Sequence, residues 1–132
     1  MRFVAPRPIF LIFSLLISLA GWFAIPRTAE AHAVLQKSEP AANAAIDLGT
    51  LHVGMLPIEL TFNSRIDAAH SSLSLHGADG KPIVLTPIDL NANPNILRCT
   101  APSIHPGHYS LHWQVVASDG HISRGAIPFD VR

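Results

Sequence analysis

Asp119-Gly120-His121, close to the C-terminal end, sets a carboxylate and an imidazole two residues apart. In an extended or tightly turned segment that spacing puts both side chains on the same side, and Gly120 leaves the backbone free to bend. The two make a reasonable pair of ligands for a divalent metal. Asp-Gly is equally a common hairpin turn with no chemistry of its own. A third candidate lies at the other end of the chain. His32 directly follows Ala29-Glu30-Ala31, which offers small residues at the two positions a signal peptidase reads. A cut after Ala31 gives His32 a free α-amine beside its imidazole, and the two can close a chelate ring on one ion. An α-amine has an ordinary pKa of roughly 7.7–8.0, so a metal displaces its proton at modest cost near neutrality.

Amine, two imidazoles and one carboxylate form an N,N,N,O set from His32, Asp119 and His121. Such a set suits a tetragonal Cu(II) ion, the strongest binder in the divalent series. Zinc can occupy it but prefers a tetrahedron. Soft Cu(I) finds little, because Met55, near His52, is the sole methionine after residue 31. Cys99 is the only cysteine, which excludes an internal disulfide. It alternates with Leu97 and Ala101 in "NILRCTAP" and reads as a small buried apolar residue on a strand; a thiolate ligand is the sharper alternative. The remaining histidines, at 52, 70, 76, 105, 108 and 112, are scattered beside turns or on polar faces. His108 and His112 would share a strand face but lie roughly 13 Å apart, too far to share an ion.

The segment before His32 has three parts. Arg2 and Arg7 form a short basic region, an apolar run follows from Ile9 to Ile25, and the Ala-x-Ala site comes last. That is the pattern of a secretory signal. A membrane anchor needs about 20 apolar residues, slightly more than the run supplies. The expected organisation is therefore a cleaved signal over residues 1–31 and one secreted domain over residues 32–132. Losing Arg2, Arg7, Arg27 and Glu30 leaves the domain mildly acidic. With no basic patch, nucleic acid is excluded as a partner.

Turn residues punctuate residues 32–132, and helical periodicity is nearly absent. Runs of period two read as strands at 57–62, 71–76, 81–86, 95–100, 108–117 and 126–131. Asp79-Gly80 marks a hairpin turn. In the long strand Tyr109, Leu111, Trp113, Val115 and Ala117 share one face, the expected core. The chain then runs through "SDGHIS" and returns with Ile127, Phe129 and Val131 aligned. Residues 109–131 are thus expected to form a hairpin with Asp119 and His121 at its tip. About seven short strands in a domain of this size predict an all-β, antiparallel Greek-key β-sandwich or barrel.

"HAVLQKSEPAANAAI", "PIELTFNSRI" and "GHYSLHWQVVASDGHISRGAIPFDV" together resemble the CopC family of periplasmic copper-binding proteins, over nearly all of residues 32–131. The resemblance implies a cupredoxin-like or immunoglobulin-like β-barrel. It implies Cu(II) held by the mature N-terminal histidine and by the Asp and His of the terminal hairpin, which are His32, Asp119 and His121 here. It also implies copper sequestration, resistance or delivery, often beside a CopD-type membrane copper transporter. Two departures stand out. Some members hold Cu(I) in a Met-rich loop with a histidine; the matching "SLSLHGADGKP" has His76 but no methionine. Many members carry a Glu where Ser64 stands in "TFNSRI", and Arg65 is a candidate second contact to Asp119.

The leading reading is a monomeric Cu(II)-binding protein that is not an enzyme. Two alternatives differ in class. Amine and two imidazoles are similar to the copper site of oxidative polysaccharide monooxygenases, although Asp119 would fill a position that oxygen needs. The other alternative is a metal-free immunoglobulin-like interaction domain.

Overall fold

The computed structural model describes residues 32–132; the expected signal segment, residues 1–31, lies outside the described residues. Eight strands follow one another: β1 (Leu35–Glu39), β2 (Ala45–Ile46), β3 (Leu56–Phe62), β4 (Ile66–Gly77), β5 (Pro82–Ile83), β6 (Ile96–Ala101), β7 (Gly107–Ala117) and β8 (Ile122–Val131). Two short 3-10 turns lie between β2 and β3. The strands form a three-stranded sheet, ordered β1-β3-β6, and a five-stranded sheet, ordered β2-β8-β7-β4-β5. The fold is an all-β sandwich of the kind expected, with eight strands where about seven were expected.

Alternation along the strands builds the core. In β3, Leu56, Ile58, Leu60 and Phe62 are buried while the residues between them are not. β6 adds Leu97, Cys99 and Ala101, and the facing sheet supplies Leu75, Leu111, Val115, Ala117, Ile127, Phe129 and Val131. Each large apolar side chain contributes roughly 1.5–3 kcal/mol when fully buried. Trp113 sits at the edge of this core, only partly buried. Its ring meets Phe62 edge-on, with centroids 5.4 Å apart. It also lies across Gly125, where a Cβ would come within 2.5 Å of Trp113 Cζ2. The glycine in β8 is thus a seat for the indole. Tyr109 stacks on Phe129 and donates its hydroxyl to the His105 carbonyl at 2.8 Å.

The β7–β8 hairpin is the longest continuous ladder, running from Gly107↔Val131 to Val116↔Ile122. β4 pairs with the other edge of β7, and their register slips between Asp67 and Ser72. The slip is a bulge tied by Ser71, whose hydroxyl donates to the Asp67 carbonyl at 2.6 Å and accepts the Val116 N–H at 3.1 Å.

Three local expectations are corrected. The run at 81–86 pairs only through Pro82 and Ile83, because Pro82 and Pro87 lack a donor. Beyond Ile83 the chain runs beside β6 through isolated bonds, such as Thr86 N–H to the Thr100 carbonyl at 2.8 Å. β8 begins at Ile122, four residues before the expected start. β1 and β2 lay outside the predicted runs altogether.

Candidate metal centre

The hairpin tip is set by four residues. The Ala117 N–H donates to the His121 carbonyl at 2.8 Å, and the Gly120 N–H to the Ala117 carbonyl at 2.9 Å. Gly120 has φ +86, a left-handed conformation that only glycine adopts without penalty. The turn folds Asp119 and His121 together. Asp119 Oδ1 accepts the His121 N–H at 3.0 Å, and Oδ2 lies 2.7 Å from His121 Nδ1. The backbone N–H of His121, helped by its ring, holds the Asp119 carboxyl below the usual carboxylate range. A proton on Nδ1, facing that carboxylate, leaves Nε2 with the lone pair.

His32 reaches the same place from the other end of the chain. Ala33, one residue on, is 2 % exposed and belongs to the core. Val34 is clamped to the β3–β4 loop: its N–H donates to Asn63 Oδ1 at 2.8 Å, and its carbonyl accepts the Asn63 N–H at 3.0 Å. The buried methyl and the paired bonds fix where residue 32 leaves the sandwich. The His32 and His121 rings stand 4.7 Å apart between centroids, tilted by 43°.

One loop serves both arms. Asn63 grips Val34, and two residues later the Arg65 carbonyl accepts the Ser118 N–H at 3.2 Å. The expected contact of Arg65 with Asp119 is not made as an ion pair among the described residues; Arg65 supports the hairpin through its backbone. Ser64, between them, buries its hydroxyl oxygen without a hydrogen-bond partner. Asn63 was missed in the sequence because an Asn in a turn has an ordinary local explanation.

The donor set fits a metal in part. Two imidazoles face each other, and a carboxylate stands behind one of them. Among the described residues, no three His, Cys, Asp or Glu side chains are gathered as a ready-made cluster, and Asp119 and His121 satisfy each other. Before any cleavage the His32 nitrogen is a peptide nitrogen and cannot add a donor. Asp119 would either swing onto an ion or stay on Nδ1, where it orients the ring.

The other candidates fall away from this place. Cys99 is buried, and burial pushes its thiol up to about 11. It stays protonated at neutral pH, and the reading as a packed strand residue fits it. His70 pairs with Asp67 at 2.8 Å, and His108 pairs with Asp130. His76 and His112, unrelated by spacing, meet on the outer face of β4 and β7 with ring centroids 5.2 Å apart.

Comparison with known proteins adds an independent line. The family model described as the CopC domain matches residues 35–132. Protein YobA of Escherichia coli (strain K12) is 30% identical over 104 residues, covering 77% of this chain and 80% of its own. The copper transport protein CutJ of Bacillus subtilis (strain 168) is 25% identical over 109 residues, which are 81% of this chain but only 19% of CutJ. Among solved structures, CopC from Methylosinus trichosporium OB3b superposes with a TM-score of 0.66 at 29% identity, covering 76% of this chain and 93% of that one.

Proposed function

This chain belongs to the CopC family, and from that premise we propose that its mature form is a periplasmic Cu(II)-binding protein that sequesters copper or hands it on. Copper is the cargo. The ion is taken by the His32 α-amine and imidazole, by His121 and by Asp119, after cleavage between Ala31 and His32. The observation that carries the reading is the 4.7 Å between the His32 and His121 rings. With metal–nitrogen bonds of about 2.0–2.1 Å, two imidazoles at right angles on one ion hold their centroids roughly 4.5 Å apart. Right-angled nitrogen ligands are what tetragonal Cu(II) takes.

The rigid parts supply affinity. The β7–β8 turn and the Asn63 clamp hold the ligands near their bound places before copper arrives, which reduces the ordering cost of binding. The similarity to a segment of CutJ, a protein named for copper transport, supports delivery to a CopD-type membrane transporter as the downstream step. The protein acts as a monomer and not as an enzyme: Asp119 takes a position that oxygen would need.

The test is to express the exported protein with one Ala inserted between Ala31 and His32. Moving the amine off His32 breaks the chelate, and Cu(II) affinity in a competition titration should fall by at least a hundredfold. The native form should give a nitrogen-rich tetragonal paramagnetic resonance spectrum. Unchanged affinity in the extended form, or a native chain that starts elsewhere than His32, defeats the proposal.

A further inference from the structure

We propose that the outer face of the five-stranded sheet carries a second metal site, formed by His76 of β4 and His112 of β7, which takes a borderline divalent ion such as Zn(II) through two imidazole nitrogens. The two residues are diagonal neighbours on the ladder. His76 stands opposite Ser110, and His112 opposite Ser74. Their rings are 5.2 Å apart between centroids and nearly perpendicular, at 82°. With metal–nitrogen bonds of about 2.0–2.1 Å and a tetrahedral angle between them, two imidazoles on one ion hold their centroids about 5 Å apart.

A second observation points the same way. The Nδ1 atom of His76 is buried and has no hydrogen-bond partner. A buried polar nitrogen left unpaired is destabilising, and such a group calls for an ion or water to explain it. An ion seated between the rings satisfies it. His112 has a partner for one of its ring nitrogens. Its Nε2 lies 3.2 Å from Ser110 Oγ; if that nitrogen donates to the hydroxyl, Nδ1 keeps the lone pair. The β8 residues paired with His112 and Ser110 are the short Ala126 and Pro128. Water completes the coordination.

The pair is separate from the hairpin tip. His112 lies roughly 20 Å along the strand from Asp119, and neither His32 nor the amine takes part. No sulfur is involved, so the site is one for borderline divalent ions rather than for Cu(I). The backbone holds it firmly, since Leu75 and Leu111, each next in sequence to one of its residues, are fully buried.

The experiment titrates zinc sulfate into the full chain carrying His32→Ala and His121→Ala, with histidine-ring nitrogen resonances as the readout. The His76 and His112 rings should shift together and saturate at one equivalent, ahead of His52, His70 and His105. His112→Ala, at an exposed position that leaves the fold intact, should abolish the His76 response. It should also remove the rise in thermal midpoint that zinc gives the protein lacking His32 and His121. A His76 shift that survives His112→Ala, or rings that respond no earlier than the scattered histidines, overturns the site. Because His32 and His121 are both removed, the result stands apart from the fate of the copper proposal.

Discussion

Asn63→Ala isolates the clamp that places the N-terminal arm. The substitution removes one hydrogen bond, Val34 N–H to Asn63 Oδ1 at 2.8 Å, and leaves the reciprocal backbone bond at 3.0 Å. Val34 is 50% exposed, so water replaces the lost acceptor and the cost to folding lies at the low end of the usual range, about 0.5–1 kcal/mol. For a domain of this size that is a fall in Tm of about 2–8 °C. The effect on copper is separate. Freeing His32 means ordering it again on binding, and fixing one residue's backbone costs roughly 1–2 kcal/mol. Cu(II) affinity should therefore fall about tenfold. Calorimetry gives the first quantity and a chelator competition on the processed protein gives the second. Asn63→Asp, which keeps an oxygen acceptor at that place, should recover the affinity. An Asn63→Ala protein that loses stability and still binds copper within twofold of the parent would refute the argument that the clamp preorganises the site.

Three other outcomes are expected. Copper affinity should weaken as pH falls from 8 to 5, because the amine and both imidazoles must shed protons to bind. Asp119 adds no inflection there: its folded pKa is depressed by the His121 N–H, so its contribution is present above the unfolded carboxylate pKa and is lost only as pH drops through the lower folded value. An apparent affinity independent of pH across that range would contradict this ligand set. Gly125→Ala should drive a methyl into Trp113, whose ring atoms would lie at 2.5–2.8 Å. The strain should cost about 1–3 kcal/mol and shift the fluorescence of Trp113, the one tryptophan in residues 32–132; an unaltered emission maximum and Tm would sink the seat. Cys99, with its thiol pushed up to about 11, should resist alkylation in the native state at pH 8 and react on unfolding, and rapid native labelling would show that it is not sealed.

The hairpin and the core faces were legible because their signals are local. Alternation in β3 and β7 and the Asp-Gly turns each lie within a dozen residues. β1 was invisible for a physical reason: its five residues, LQKSE, are exposed or half-buried throughout, so no apolar period marks it. β2 is two residues long and pairs in parallel with the far end of β8, a relation that only the finished sandwich creates. The start of β8 was hidden because Ser123 and Gly125 occupy the inward positions, Gly125 beneath Trp113. At the candidate metal centre the residue types and the Asp-x-His spacing pointed to chemistry, but the loop joining both arms did not. Asn63 acts on Val34, 29 residues away. The His76–His112 pair likewise exists only through the β4–β7 register.

On the proposed processing after Ala31, the burial of Ala33 would set an order of events. Such a cut would leave a single residue between the scissile bond and a methyl group sealed in the sandwich. A protease that holds residues on both sides of its target bond extended in its own cleft would find all but His32 of the C-terminal side withheld by the finished domain. Leader removal would then have to come before the sheets close, and a molecule that folded first could be trimmed only by prising the approach to β1 away from the core.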